Sequence, residues 1–413
     1  MPPLDGIRVV DLTRVVAGPF CTMMLGDMGA EVLKIEEPAH GDDTRGWGPF
    51  INGTGAFYFE LNRSKKSVAL DLKTADGAAA LRRLIETADV LIENFRPGSL
   101  AGLGFDYASA SAINPRLVYC SIAGYGQTGP HAQLPGYDAV IQGEAGIMEM
   151  TGFPGGDPTR VGVAITDYLA GLYAVQGILL ALYERTTSGR GQHVDIALFD
   201  AMLSVMRLPH AVLRATGRDP TRAGNDHLTI APYEPLHAKD GLLIVAVANP
   251  RLWGRFCAAI DRLDLVDDAR FSTNADRMRN RDALKRELET QFASWTVDEL
   301  TGRLEAHNVP CGRVRTMRQA VKHPQVEPRE LVARQTHPAI GAIETLGPVV
   351  KLSRTPAAVT LPPPVLGEHT AEILERLKAE RQDGRNSRLK ALWRKRQSCW
   401  FPSCRDSLQP SCL

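Results

Sequence analysis

The residue types able to do covalent or acid–base chemistry are spread thinly along this 413-residue chain, and their spacing excludes more mechanisms than it offers. No Gly-x-Gly-x-x-Gly follows the first strand-like run. Val15-Val16-Ala17-Gly18-Pro19 stands there instead, which counts against a nicotinamide or flavin enzyme. There is no Gly-x-x-x-x-Gly-Lys-Ser/Thr loop, no Gly-x-Ser-x-Gly elbow and no His-Glu-x-x-His. The ten histidines are scattered, so a metal site would need assembly over long range, and no metal is expected. Among the acids, Asp167, in Val163-Ala164-Ile165-Thr166-Asp167-Tyr168, ends a small apolar stretch and opens a helical one. A helix N-terminus offers free N–H donors and the positive end of a dipole, which hold a carboxylate ionised. By position alone it is either a structural helix-end carboxylate or a reactive one.

The elements that must position it follow from periodicity. Residues 7–12 form an apolar, β-branched run that predicts a buried strand, a helix is expected over 19–28, and residues 31–35 predict a second strand. Strand, helix and strand within so short a span make the βαβ unit of a parallel sheet. The pattern predicts further helices at 77–87, 137–148, 167–184 and 201–216, and strands at 90–92, 117–121 and 194–198. At 217–232 Gly, Pro, Asn, Asp and His replace the apolar period, which marks a loop and a domain boundary. A strand at 242–247 and helices near 252–259, 281–294 and 297–305 follow, then a short terminal helix to about residue 377. The expected division is a large domain from 1–216 and 326–378, a smaller α/β domain at 225–325, and a basic tail at 379–413 too polar to pack.

Bulk properties narrow the class. The chain exceeds the size at which one core keeps growing, so about two domains are expected. A net charge of +1 gives no reason to expect nucleic acid, and no apolar run suggests a membrane span or a secretory leader. Cys21, Cys120, Cys257 and Cys311 sit singly in apolar segments, as buried reduced thiols do, which fits a reducing compartment such as the cytoplasm.

A set of segments in order resembles the class III CoA-transferase family. They include Leu4-Asp5-Gly6-Ile7-Arg8-Val9, Val16-Ala17-Gly18-Pro19 and Gly29-Ala30-Glu31-Val32-Leu33-Lys34-Ile35-Glu36. Gly41-Asp42-Asp43-Thr44-Arg45, Asn62-Arg63-Ser64-Lys65-Lys66-Ser67, Glu93-Asn94-Phe95-Arg96-Pro97-Gly98 and Gly124-Tyr125-Gly126 continue the series. Thr166-Asp167, Gly189-Arg190-Gly191-Gln192 and Leu366-Gly367-Glu368-His369-Thr370 complete it, so the resemblance covers residues 4–377. Within the family, the run from Gly124 to Pro130 and the segment Gly136-Tyr137-Asp138 look most like the succinyl-CoA:dicarboxylate, glutarate-type enzymes.

The resemblance implies a Rossmann-like large domain with a parallel sheet, a smaller inserted domain and an interlocked homodimer. It places the nucleophilic carboxylate on Asp167 and implies transfer of CoA from a donor such as succinyl-CoA to a small, dicarboxylic acid, through an aspartyl-CoA thioester. Coenzyme A and acyl-CoA are then substrates, and no other cofactor is expected. Along the CoA path it places Leu72, Lys73, Asn94 and Phe95, with Arg45, Arg96 and Lys66 as candidate phosphate partners. Val16, Ala17, Tyr137, Asp138, Gly224 and Asn225 are expected around the acyl group, and Asn225 and His227 of one copy are expected near Asp167 of the other. Glu37 and Gly102 stand where formyl-CoA transferase has arginines, and Val16 where it has a glutamine, so contacts there differ. For a second carboxylate the candidate cations are Arg14, Arg45 and Arg222. The alternatives are a 2-methylacyl-CoA racemase of the same family and a non-catalytic CoA-binding paralogue. The racemase branch has a His where Tyr137 stands, and a phenol of pKa near ~10 is a poor base.

Overall fold

The computed structural model describes residues 1–382; nearly all of the expected basic tail, with Cys399, Cys404 and Cys412, lies outside the described residues. The strands run β1 (Arg8–Asp11), β2 (Glu31–Glu36), β3 (Phe50–Ile51), β4 (Thr54–Gly55), β5 (Lys65–Ala69), β6 (Val90–Glu93), β7 (Val118–Ala123) and β8 (His193–Ala197). They continue as β9 (Tyr233–Ala238), β10 (Gly241–Ala246), β11 (Cys311–Arg313), β12 (Val332–His337) and β13 (Gly341–Leu346). Six of them make one sheet in the order β5-β2-β1-β6-β7-β8, with every neighbouring pair parallel. The strands read as continuous apolar runs because both faces are covered. Val9, Val32, Val90, Ile92, Val118 and Cys120 point into one core, and Val10, Leu33, Leu91 and Tyr119, one residue out of phase, into the other.

Strand β5 escapes the sequence pattern. Lys65-Lys66-Ser67 reads as polar surface, yet Lys65 and Ser67 are fully buried. Lys65 Nζ meets Asp11 Oδ2 at 3.3 Å, the Pro19 carbonyl at 2.9 Å and Asn62 Oδ1 at 2.8 Å, and Ser67 donates to Glu36. Their polar ends are satisfied inside the protein, which periodicity cannot foresee.

The helix expected at 137–148 is two, Asp138–Glu144 and Ile147–Met150, because Gly146 turns left-handed at φ 84° between them. The stretch 201–216 is likewise two helices, Leu198–Val205 and Arg207–Thr216. The Asp167 helix spans Ile165–Ser188, so Asp167 is its third residue rather than its first. At 24 residues it is also long and apolar enough to cross a membrane by length and composition, contrary to the expectation that no segment is. One of its faces, with Ala170, Ala174, Ile178 and Ala181, is packed into the first core. A Cβ on Gly171 would fall 2.7 Å from the carbonyl oxygen of Ala17, so this helix crosses the Ala17–Asp27 helix in backbone contact.

A third core gathers residues from Leu236 to Val309 between the antiparallel sheet β11-β10-β9 and the helices Pro250–Ala259, Arg281–Phe292 and Val297–Ala306. No helix or strand occupies 217–232. The hairpin β12-β13 then returns to the first sheet, where Arg63 reaches the Leu346 carbonyl at 2.5 Å and Asp27 Oδ2 at 2.8 Å. The last helix, Thr370–Gln382, docks on β5: Thr370 Oγ1 accepts from Ala69 N–H at 2.9 Å, and Ile373 is fully buried.

The helix crossing at Gly171 has a direct test. Gly171→Ala should lower unfolding free energy by about 1–3 kcal/mol, as overpacking does, with the denaturant midpoint falling at constant slope. A midpoint equal to that of the parent would mean the two helices are not held in backbone contact.

Candidate active site

The sheet grows outward from β1 through β2 to β5, and the chain then returns to lay β6 on the other side of β1. That reversal opens a crevice at the carboxyl ends of β1 and β6, the position at which open α/β sheets bind ligands. A cavity of about 370 Å³ lies there. Its walls are Val15, Val16 and Ala17 after β1, Asn94, Phe95 and Arg96 after β6, and Gly124 after β7. Gly136, Tyr137 and Asp167 close it. Gly124 and Gly136 are there because their two segments touch through their backbones: a Cβ on either would lie within 2.7 Å of the other's Cα. Gly124-Tyr125-Gly126-Gln127-Thr128-Gly129 has the spacing of a nucleotide loop after β7, but no helix opens until Asp138, so the phosphate-binding helix end is missing.

Asp167 sits in the first turn of its helix, half-buried, and no hydrogen bond reaches its carboxylate among the described residues. Burial raises its pKa, the Asp138 charge adds to this, and together they push it up to about 7. The expectation of a firmly ionised carboxylate is therefore corrected, because loss of water outweighs the helix end.

Asp138 does a different job. Its Oδ1 accepts from Thr166 N–H at 3.0 Å and Thr166 Oγ1 at 2.8 Å, so it caps the Asp167 helix across space. Gln142, four residues on and fully buried, donates to Asp138 Oδ2 at 2.8 Å and accepts from Val161 N–H at 2.8 Å. Sequence reasoning missed Gln142, although its i,i+4 spacing from Asp138 on one helix face was the available signal.

Val16, Ala17, Asn94, Phe95, Arg96, Tyr137 and Asp167 are thus brought together, and other expected residues are not. Arg45 is committed to Glu36 by two bonds of 2.8 Å, stacks on the Tyr58 ring and reaches the Pro364 carbonyl. Lys66 pairs with Glu372 at 2.6 Å. Leu72 packs into the second core and Lys73 is exposed beyond β5, two strands from the crevice. Gly224 bonds the Gly152 carbonyl at 2.8 Å, Asn225 is exposed, and neither reaches this cavity within one chain. Of the three candidate arginines only Arg14 borders the cavity, 3.5 Å from Asp43; Arg222 is held by Glu149 at 2.7 Å.

The raised pKa of Asp167 carries a stability consequence. In the unfolded chain it titrates near ~3.9. The folded protein therefore holds the proton more tightly, and ionising it costs stability progressively as pH rises from about 4 to about 7. Asp167→Asn should raise the thermal midpoint at pH above 7, and the gain should vanish below pH ~3, where both states are protonated. A gain that is the same at both pH values would show that the carboxylate is not destabilised by its site.

Residues 4–370 match the profile of CoA-transferase family III. The chain is 42% identical over 386 residues to the succinate–glutarate CoA-transferase of Agrobacterium fabrum, covering 91% of this chain and 96% of that protein. It is 39% identical over 374 residues to the human succinyl-CoA:glutarate CoA-transferase, covering 90% of this chain and 85% of that one. A crystal structure of a CAIB/BAIF family protein from Brucella suis superposes with a TM-score of 0.82 at 40% identity, covering 91% of this chain and 99% of its own. A crevice at the β1/β6 reversal, a half-buried acid at a helix start and these likenesses agree: the chain belongs to CoA-transferase family III.

Proposed function

We propose that this protein transfers CoA from a dicarboxylyl-CoA, succinyl-CoA foremost, to a short dicarboxylic acid, with Asp167 as the covalent carrier. The observation that carries the reading is the Asp167 carboxylate itself, bordering the crevice with no hydrogen-bond donor among the described residues. A poorly solvated carboxylate is a stronger nucleophile than one bound to donors. The names of the relatives from Agrobacterium fabrum and human support the dicarboxylate class.

In the first step an Asp167 oxygen attacks the thioester carbonyl, the C–S bond breaks, and a mixed anhydride and CoA thiolate result. The thiolate then attacks the Asp167 carbonyl, which releases the donor acid and leaves aspartyl-CoA. The acceptor carboxylate repeats both steps in reverse order and departs as the new acyl-CoA. No net proton moves, and donor and product are both thioesters. The demands on the protein are stabilised oxyanions and excluded water. Asp138 is engaged as a cap and Tyr137 is an exposed phenol, so the racemase alternative would leave Asp167 without the histidine partner of that branch.

The working form is a homodimer in this reading. Leu172, Leu179, Leu180 and Tyr183 expose an apolar stripe on the Asp167 helix, continued by Leu203, Val205 and Leu208 on the two helices that follow. An apolar surface of that kind is matched by a second copy of the chain.

Asp167→Ala should abolish transfer in a protein that stays folded and dimeric, because loss of an essential nucleophile costs many orders of magnitude in rate. Retention of roughly a tenth of the parent rate would sink the assignment. In the parent, kcat/KM should fall as pH drops below about 7, where Asp167 takes up its proton. Acceptor panels with succinyl-CoA, read by mass, should favour short dicarboxylates over monocarboxylates of equal length by at least ~10-fold. A panel won by monocarboxylates, or α-proton exchange in a 2-methylacyl-CoA without transfer, would replace the proposed substrate class.

A further inference from the structure

The turn joining β1 to the Ala17–Asp27 helix has its main chain held by side chains from elsewhere in the fold. Thr13 N–H donates to Asp11 Oδ1 at 2.9 Å, and the Thr13 carbonyl accepts from Lys34 Nζ at 2.9 Å. Arg14 exchanges both of its main-chain groups with the Asn94 amide, at 2.9 and 2.7 Å. Val15 N–H donates to Asp42 Oδ1 at 3.2 Å, and the other oxygen of Asp42 accepts from Lys34 Nζ at 2.8 Å. Lys34 and Asp42 are both fully buried at the side chain. Burial alone would raise the Asp42 pKa, but the Lys34 charge and the Thr44 bonds win and lower it to about 2.

What this clasp holds is an unfavourable backbone. Val15 has φ 71°, the left-handed region, where a β-branched side chain is a genuine outlier. Such a conformation persists only when its surroundings over-determine it, and it occurs where strain serves a site. Directly after it, Val16 and Ala17 border the same cavity as Asp167. There the first-turn N–H groups of the helix have no partner four residues back.

We propose that Lys34 and Asp42 are positioning residues for transfer. Clasped beneath the turn, they hold Val15 left-handed and so fix the N–H group of Ala17, which borders the cavity, toward the carbonyl oxygen that gains charge when Asp167 attacks. The inference rests on the reading of Asp167 as nucleophile. Neither residue touches the substrate, and both act through the turn. Donors aimed at a developing oxyanion stabilise the transition state more than the ground state, so loosening them lowers kcat and spares KM.

The test compares the full-length parent with Asp42→Asn and with the double variant Lys34→Met/Asp42→Asn. The double variant removes both buried charges at similar shape and guards against misfolding. Val15→Gly is then added to each, since glycine adopts φ 71° at little cost. Asp42→Asn should lower kcat by about 10–100-fold, with the KM for succinyl-CoA within about 3-fold of the parent. Val15→Gly should recover about tenfold of that loss, because the turn no longer needs to be forced. Hydrogen exchange of peptides over residues 13–18 should quicken in Asp42→Asn. An Asp42→Asn enzyme with parent kcat overturns the proposal. So does a loss of kcat that follows the fall in thermal midpoint and is untouched by Val15→Gly, the mark of a merely structural pair. If the parent itself moves no CoA, the transferase reading fails first. The exchange measurement still decides the clasp: quickened exchange supports it and unchanged exchange overturns it.

Discussion

Four charged side chains are sealed from water beneath the carboxyl end of β1: Asp11, Lys34, Asp42 and Lys65. A buried charge is tolerable only when paired and hydrogen-bonded, so each must find its partners or the end of the sheet comes apart. Lys34 bridges Asp42 and the Thr13 carbonyl, while Asp11 collects Thr13, Thr22 and Lys65. Burial draws the Lys65 pKa down to about 8, against the pull of Asp11. Such networks add little net stability compared with an apolar core of the same shape, but they allow one geometry and penalise others. Here that geometry ties β1, β2, β5 and the following helix into one frame.

The active-site carboxylate lives by the opposite rule. Asp167 is half-buried beside a like charge and receives no donor among the described residues. Its neighbour Asp138 has Thr166 and Gln142 as partners. Two neighbouring acids, Asp167 in the crevice wall and Asp138 beside it, thus differ in role because of what surrounds them. The satisfied one builds the helix start, and the unsatisfied one keeps the free energy that a nucleophile spends.

Close backbone passages make this arrangement possible. The contacts of Gly171 with Ala17 and of Gly124 with Gly136 leave no room for side chains between segments, so loops after β1 and β7 and the Asp167 helix converge on a cavity of about 370 Å³. Arg45 and Lys66, which look from their segments like phosphate partners, are instead fastening bolts between the sheet and the returning C-terminal stretch. The cations that do border the cavity are Arg14 and Arg96.

Much of this was legible before any coordinates. The apolar β-branched runs at β1, β2, β6, β7 and β8 declared a parallel sheet, because strands buried on both faces need no polar alternation. The segments around Asp167, Asn94 and Gly136 marked the crevice through their resemblance to a family. Strand β5 was illegible, since Lys65 and Ser67 look like surface until their partners are known. The protonation of Asp167 was misjudged for the same reason: its place at a helix start is local, but loss of water and the nearness of Asp138 are not. The sequence by itself determined most elements of the parallel sheet, since periodicity is written in neighbouring residues, and its resemblance to a family pointed to Asp167. Only the tertiary structure decided which charges are spent on one another and which stay free, because that depends on partners as distant in sequence as Arg45 and Pro364.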